Sequence, residues 1–256
     1  MSLMDEIMKS NVTMLLEKGE RVDRRGMFDY RPISVRKSAI ATADGSAWVS
    51  IGNTQVLAAV KFDLAEPFSD RPEEGVLSVS AELLPMASPT FEVGPPDEHA
   101  IELARVVDRA VRSAEIIDLK SLYIEPGKAY GLYIDIYVLD YDGNYIDASM
   151  LASMAALRDA KIPLYEDGKL NREVEGIPLK LRGSALEVTF VKIGKHIMLD
   201  PSLEEDHAYD TRLTIGISGD KLCTMQKSGR GGITRAELGM MIDVAFEKYG
   251  QLEKYL

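Results

Sequence analysis

The alternation of apolar and polar residues predicts most of the β-strands in this chain. Between residues 130 and 138 an apolar residue occupies every second position, which is the period of a strand with one buried face. By the same patterns and by turn residues at their ends, further strands are predicted at residues 31–39, 46–51, 54–62, 76–84, 185–193, 196–199, 212–218 and 221–227. The dipeptide Gly52-Asn53 predicts a hairpin turn between two of them.

Helices are predicted in two ways. Apolar residues at three- and four-residue spacing indicate helices at residues 5–18 and 97–117, and a capping box from Thr234 to Glu237 indicates the start of a last helix. Residues 148–157 carry no charge, so they predict a helix buried on every side, with Asp147 as its N-cap. Strands precede a helix in both halves, which predicts an α+β fold with two strand-then-helix lobes packed together.

The domain division follows the same order of elements. Residues 1–30 form a predicted N-terminal helix and loop, residues 31–163 the first lobe, and residues 177–256 the C-terminal lobe. The charged, turn-rich segment 163–176 is the candidate boundary. Residues 45–51 include Trp48 and have apolar residues on both predicted faces, which suggests a surface that a partner covers.

Composition narrows the possible functions. A net charge of −11 argues against a generally basic protein that coats nucleic acid, so any RNA or phosphate binding must come from a local cluster. No apolar run approaches the roughly 18 residues of a membrane span, and no signal peptide is predicted. The single cysteine, Cys223, allows no internal disulfide and favours a reducing, cytoplasmic location. The histidines show no metal-ligand spacing, so no metal site is predicted.

Three arginines lie on one side of the predicted helix 97–117. Arg105, Arg109 and Arg112 are spaced i, i+4 and i+7, opposite the apolar side. They could follow the phosphates of a single strand of nucleic acid. The alternative is an ordinary solvated face, which the spacing alone favours, since three acidic residues stand at ion-pair spacing: Glu102, Asp108 and Glu115.

Two further segments contain residues that could take part in catalysis or ligand binding. Residues 199–206 follow a predicted strand and contain Asp200 and Asp206, which could serve as a general acid or hold a metal, although an acidic surface turn is the commoner arrangement. The glycine-rich residues 229–232 precede the last helix and could cradle an anion, although a plain turn that needs positive φ is again favoured. No P-loop, nucleophile elbow or dinucleotide fingerprint occurs in the sequence.

Five segments taken together resemble the RNase PH family and, within it, the RNase PH-like subunits of the archaeal exosome. They are residues 21–26, 45–56, 85–96, 102–109 and 142–163. The resemblance covers nearly the whole chain. It implies the α+β RNase PH fold, which is ribosomal protein S5 domain 2-like, and a ring of six family domains around a pore. It further implies that active members degrade RNA from the 3′ end with inorganic phosphate as the nucleophile.

The resemblance also locates a departure from the active members. In those relatives a Gly-Thr/Ser-Arg segment opens the buried helix, and its arginine grips phosphate. The equivalent segment here is Asn144-Tyr145-Ile146, so Ile146 stands where the arginine is expected. Asp200 and Asp206 match the acidic pair of active members. The resemblance therefore implies a degenerate site without a catalytic residue, in a non-catalytic exosome subunit.

The partners are implied in the same way. They are a catalytic RNase PH-like subunit in a trimer of heterodimers, RNA-binding cap proteins on the ring, and single-stranded RNA in contact with Arg105, Arg109 and Arg112. No cofactor of its own is expected; inorganic phosphate belongs to the catalytic partner, and Mg²⁺ in the complex is compatible with the resemblance. Two alternatives stay open: a self-sufficient phosphorolytic 3′–5′ exoribonuclease, and a small-molecule enzyme or binding module that shares the fold.

Overall fold

The computed structural model describes the backbone of residues 3–256 and the side chains from Met8 onward; the first two residues of the predicted N-terminal segment lie outside this range. The α-helices are α1 (Leu3–Glu17), α2 (Glu98–Ser113), α3 (Tyr145–Asp159), α4 (Leu203–Ala208) and α5 (Arg235–Leu252). Short 3₁₀ turns cover Leu119–Leu122 and Glu253–Tyr255.

The strands are β1 (Ile33–Lys37), β2 (Gly45–Ile51), β3 (Thr54–Ala65), β4 (Val76–Leu83), β5 (Tyr123–Glu125), β6 (Lys128–Asp140), β7 (Lys161–Ile162), β8 (Leu164–Glu166), β9 (Lys169–Asn171), β10 (Ile177–Pro178), β11 (Leu186–Ile193), β12 (His196–Leu199), β13 (Thr211–Ser218) and β14 (Lys221–Gly229). Each strand predicted from the sequence is present. The short strands β5 and β7 to β10 were not predicted, because two or three residues are too few to show a period.

Two sheets organise the chain. The first has the order β1-β2-β3-β6-β4, with β5 beside β6, and all its pairs are antiparallel except β4 with β6. The second has the order β12-β11-β13-β14 and is antiparallel throughout. Because α2 follows the strands β1 to β4 and α5 follows the second sheet, the predicted α+β fold with two strand-then-helix lobes is confirmed.

Helix α3 lies at the centre of the molecule. It contacts β2 and β3 of the first sheet, β11 of the second sheet, and α2. Every residue from Tyr145 to Leu157 is buried, as the absence of charge predicts. Alanines at 148, 152, 155 and 156 are fully buried, and their small volume lets the elements on both sides approach closely. The core of both lobes is therefore one continuous apolar cluster.

Two local predictions were wrong. Asp147 is not the N-cap of α3; Asn144 occupies that position in a left-handed conformation, and Asp147 lies buried in the first turn. Helix α2 ends at Ser113 rather than near residue 117, because Glu115 takes a φ of +50° and turns the chain. The candidate boundary segment 163–176 contains the β8–β9 hairpin, which packs against β3.

Candidate functional site

Helix α2 presents its arginines to solvent because its opposite face is fixed in the core. Asp97 caps the helix, and its Oδ1 accepts a hydrogen bond from the backbone N–H of Ala100 at 2.8 Å. The buried face consists of Ala100, Leu103, Val106, Val107, Ala110 and Val111. Arg105, Arg109 and Arg112 are exposed, as the periodicity predicts.

Arg105 and Arg109 share one cavity. It has a volume of 460 Å³, and its wall also includes Glu98, His99, Ile101, Glu102 and Gln226. Arg109 Nη2 donates to Gln226 Oε1 at 2.7 Å, and Arg109 Nε donates to the carbonyl oxygen of Arg105 at 3.3 Å. The guanidinium of Arg109 is thus held in place by a strand of the second sheet rather than left to sample solvent.

Arg112 lies apart from the other two arginines. Its Nε donates to both carboxylate oxygens of Asp108 at 2.9 Å, and its Nη2 donates to the carbonyl oxygen of Leu77 at 2.6 Å. It lines a different cavity of 470 Å³, whose other cationic side chains are Arg71, Lys120 and Arg182. The structure therefore divides the predicted row of three arginines into a pair and a separate, ion-paired residue.

In an ordinary solvated face, the acidic residues of α2 would pair with the arginines of the same helix. Only some of them do so. Asp108 pairs with Arg112 as the spacing indicates. Glu102 pairs with Arg212 of the second sheet instead of an arginine of its own helix: its carboxylate accepts hydrogen bonds from Arg212 Nη2 at 2.9 Å and from Ser228 Oγ at 2.8 Å. Burial acts to raise the pKa of Glu102, but the charge of Arg212 and these hydrogen bonds outweigh it and lower the pKa below its usual value.

The second candidate region is the acidic segment after β12, and it is buried. Asp200 has no exposed surface, and five N–H groups donate to its carboxylate: three from Arg31 (N, Nε and Nη2), Nη1 of Arg25 and Nδ2 of Asn144. The side-chain distances from Arg31 Nη2 and Asn144 Nδ2 to Oδ1 are both 2.8 Å. Burial acts to raise the pKa of Asp200, but the bonds and charges of Arg31 and Arg25 outweigh it and lower the pKa to about 2.

Glu205 is buried beside it in the same way. Arg21, which is itself buried, donates from Nε and Nη2 to the two carboxylate oxygens of Glu205 at 2.9 and 2.5 Å. Arg21 Nη1 also donates to the carbonyl oxygen of Leu199 at 2.9 Å. The expected acidic surface turn was therefore wrong: residues 203–208 form helix α4, because arginines from the segment 21–31 neutralise the carboxylates that a turn would leave in solvent.

The beginning of α3 lacks the groups that would hold a phosphate. The side chain of Ile146 is 2% exposed and belongs to the core. The backbone N–H of Asn144 faces Asp206 Oδ2 at 3.4 Å, and Tyr141 donates its hydroxyl to the same oxygen at 2.8 Å. A helix N-terminus ordinarily attracts an anion, and here a carboxylate of the same chain takes that position.

Gly143 shows how closely this turn packs against the acidic segment. Its φ is +88°, and an added Cβ would lie 2.3 Å from the carbonyl oxygen of Pro201. The turn between β6 and α3 therefore rests directly on the chain that carries Asp200. Farther along, Gly229 has a φ of +83°, which agrees with a turn that needs positive φ at residues 229–232.

Sequence reasoning missed several residues that matter here. Arg21 and Arg25 were used only as part of the family resemblance, and Arg31 was placed at the start of the predicted strand 31–39. None was predicted to bind the acidic segment, although the density of arginine was a usable signal. Gln226 and Arg212 lie on strands of the second sheet and meet α2 only in the folded chain. No spacing in the sequence relates them to α2.

The comparisons with known proteins agree with the fold. The description "3′ exoribonuclease family, domain 1" (RNase PH) matches residues 29–163, and "domain 2" of the same family matches residues 184–248. The chain belongs to the 3′ exoribonuclease, or RNase PH, family. The resemblance drawn from the five sequence segments is thereby confirmed.

Individual relatives narrow the class further. The chain is 46% identical to the exosome complex component Rrp42 of Methanothermobacter thermautotrophicus, over 100% of this chain and 96% of that protein. It is 44% identical to the protein of the same name from Pyrococcus horikoshii, over 97% of this chain and 93% of that protein. A chain in the Archaeoglobus fulgidus exosome with RNA bound to the active site has a TM-score of 0.92 and 40% identity, with 99% of both chains covered. No helix in residues 3–256 has the length and hydropathy to cross a membrane.

Proposed function

We propose that this chain is a non-catalytic subunit of an exosome ring, which binds single-stranded RNA and supports a catalytic RNase PH-like partner in phosphate-dependent 3′-to-5′ RNA degradation. The observation that carries the proposal is the start of α3, where a buried Ile146 stands at the position that the family resemblance gives to a phosphate-gripping arginine. The similarity to exosome components named Rrp42 supports it.

The electrostatics of that position oppose phosphorolysis. A charge-assisted hydrogen bond to an ion contributes about 1.5–3 kcal/mol, and a bidentate arginine makes two such bonds. An apolar side chain supplies neither. The loss amounts to several powers of ten in turnover.

The retained acidic residues do not restore activity. Five N–H groups of the protein donate to the carboxylate of Asp200, and the guanidinium groups of Arg25 and Arg31 lie in direct contact with it. A metal ion would have to displace these two cations from a buried site, so the residues do not fit a Mg²⁺ ion. In this proposal Asp200 joins the segment 21–31 to the C-terminal lobe and takes no part in chemistry.

RNA contact is assigned to α2. The exposed guanidinium groups of Arg105 and Arg109 open into one cavity, and Glu102, an acidic side chain of the same wall, is engaged by Arg212. Arginine donors in a fixed orientation suit phosphate oxygens. Arg112 is included in the surface, with a smaller contribution, because Asp108 already compensates its charge.

The open face of the first sheet is assigned to subunit contact. Directly paired residues form one row across five strands on the face opposite the core: Arg36, Trp48, Leu57, Tyr137 and Glu82. The row has an apolar centre, with Trp48 half-buried beneath the guanidinium of Arg36 at 5.4 Å, and opposite charges at its ends. A catalytic RNase PH-like partner covering this face in a closed ring of three heterodimers leaves the row shielded, and cap proteins add to the ring.

Activity and assembly test this proposal together. We expect the purified chain alone not to shorten a 3′ single-stranded RNA in phosphate buffer and not to release nucleoside diphosphates. Co-expressed with a catalytic homologue, it should form a 3:3 ring by native mass measurement. Phosphate-dependent shortening by the isolated chain, with contaminating ribonuclease excluded, would support a self-sufficient exoribonuclease instead. Failure to associate with any RNase PH-like partner would favour a binding module that shares the fold.

The RNA surface needs its own test. In the assembled complex, Arg105→Ala and Arg109→Ala should each weaken RNA binding and reduce the salt dependence by about 0.7 in slope, the amount expected for one phosphate contact on a single strand. Arg112→Ala should have a smaller effect. Arg235→Ala removes an exposed charge at the start of α5 and serves as the matched control. Unchanged RNA affinity and salt slope in the Arg105→Ala, Arg109→Ala double variant would show that this side of α2 is an ordinary solvated face without RNA contact.

We also infer a cytoplasmic location for the complex. The inference rests on the single cysteine of the chain, which gives no indication of an oxidising compartment.

A further inference from the structure

Gln226 connects two groups of opposite charge at the RNA surface. It lies on β14, in the second sheet, and reaches α2 across the boundary between the two lobes. Its Oε1 accepts a hydrogen bond from Arg109 Nη2 at 2.7 Å. Its Nε2 donates to Glu102 Oε1 at 3.3 Å. One primary amide thus satisfies a cation on one side and an anion on the other.

The two bonds fix the orientation of the amide. An amide oxygen only accepts and an amide nitrogen only donates, so the flipped orientation would place an N–H group against the guanidinium and an oxygen against the carboxylate. Both contacts would then be repulsive. Neither a carboxylate nor an ammonium group at position 226 could satisfy Arg109 and Glu102 at once.

The same hydrogen-bond network determines which groups the carboxylate of Glu102 contacts. On α2 this residue is three positions from Arg105 and seven from Arg109, so its carboxylate is within reach of the arginines that face the cavity. Arg212, Ser228 and the amide of Gln226 hold it instead. Arg109 therefore contacts a neutral acceptor where a carboxylate would neutralise it.

We propose that Gln226 is a positioning residue for RNA binding, which holds the guanidinium of Arg109 toward the cavity while keeping Glu102 away from it. The proposal rests on the proposed function, because it assumes that Arg109 contacts the phosphates of single-stranded RNA. Gln226 itself contacts no phosphate in this arrangement. Its role is to keep Arg109 oriented and out of a direct ion pair with Glu102 before RNA arrives, which lowers the ordering cost of binding.

The test compares variants of the assembled complex by RNA affinity and its salt dependence. Gln226→Met keeps the length of the side chain and removes both hydrogen bonds; we expect a loss of affinity of about 2- to 10-fold, the size of one hydrogen bond, with a flatter salt slope. Gln226→Glu should lose more than Gln226→Met, because the new carboxylate pairs with Arg109 and faces Glu102. Met225→Ala, at the exposed neighbouring position on β14, is the control and should bind as the wild type does.

A double-mutant cycle separates this proposal from the proposed function. In an Arg109→Ala background, Gln226→Met should cause no further loss of RNA affinity, because the residue acts only through that arginine. A purely structural role predicts a change in thermal stability with an unaltered salt slope, and that result would overturn the proposal. If Arg109→Ala weakens RNA binding and both Gln226 variants bind normally, the positioning role is wrong and the RNA surface stands. If Arg109→Ala has no effect either, the proposed RNA contact fails.

Discussion

Replacing Asp200 by asparagine removes a buried negative charge while keeping the shape of the side chain. In the wild type this carboxylate compensates two guanidinium groups, those of Arg25 and Arg31, whose side chains are 11% and 7% exposed. The asparagine side chain has one acceptor oxygen, and its NH₂ group would face N–H donors. Breaking a buried ion pair by removing one partner costs about 3–5 kcal/mol, because the other charge stays buried without compensation.

The pH dependence gives a second measure of the same interaction. The folded-state pKa of Asp200 is about 2, below its ordinary value of 3.8. This difference corresponds to about 2–3 kcal/mol of stability, since one pKa unit is about 1.4 kcal/mol. A depressed pKa means that the contribution is fully present above pH 3.8 and is lost as the pH falls toward 2. The stability difference between wild type and Asp200→Asn should therefore be largest near neutral pH and narrow in acid.

Urea-induced unfolding of the full chain at a series of pH values between 7 and 2.5 measures both quantities. Asp70→Asn, a change at an exposed carboxylate in the loop after β3, should leave the unfolding midpoint unaltered at every pH. A difference between wild type and Asp200→Asn of less than about 1 kcal/mol at pH 7 would contradict the buried pairing. A large difference of constant size across the pH series would show that the asparagine acts through packing rather than through charge.

Two further changes test the packing around the same region. Gly143→Ala should destabilise the chain by about 2–4 kcal/mol, because the added Cβ meets the carbonyl of Pro201 and the residue keeps a positive φ. Gly168 has a φ of +80° with open space around it, so Gly168→Ala measures the conformational cost alone, at about 1 kcal/mol. Equal urea midpoints for the two variants would contradict the close contact at Gly143. Glu187→Gln should stabilise the chain at pH 8 and flatten the dependence of its stability on pH. Burial first, and the charge of Asp147 next, raise the pKa of Glu187 well above its usual value. The folded state therefore holds a proton that the unfolded state releases, and wild-type stability falls as the pH rises above about 4.5. An unchanged profile in Glu187→Gln would refute that assignment.

The strands and the central helix could be predicted because burial leaves a pattern within each element. The alternation in residues 130–138 corresponds to β6, and the uncharged run 148–157 corresponds to α3. The start of α3 could not be predicted in the same way. Asp147 has the chemistry of an N-cap, but in the folded chain Thr189 of the second sheet donates to its carboxylate from both N and Oγ1, at 3.0 and 2.6 Å. A tertiary partner overrode the local preference.

The prediction of a surface turn at the acidic residues 199–206 was wrong for a related reason. A run with the composition of residues 199–206 belongs in solvent unless cations arrive from elsewhere in the chain. Here they arrive from 169 to 184 positions away, since Arg31 pairs with Asp200 and Arg21 with Glu205. The density of arginine in residues 21–31 was visible in the sequence, but the pairing depends on a fold that brings this segment against β12. Only the resemblance to a known family related Asp200 and Asp206 to the acidic pair of the active members.

The arginines of α2 show why spacing on a helix does not settle whether a charged face is neutral. At i, i+3 and i, i+4 spacing, acidic and basic residues of one helix are expected to pair with each other. Asp108 follows this rule with Arg112. Glu102 does not, because it pairs with Arg212 of the second sheet, which is buried beside it. Leaving a buried cation without an anion costs more free energy than leaving the exposed Arg105 and Arg109 without one. A buried cation on one lobe thus pairs with the acidic residue that helix spacing would pair with the exposed Arg105 on the other lobe.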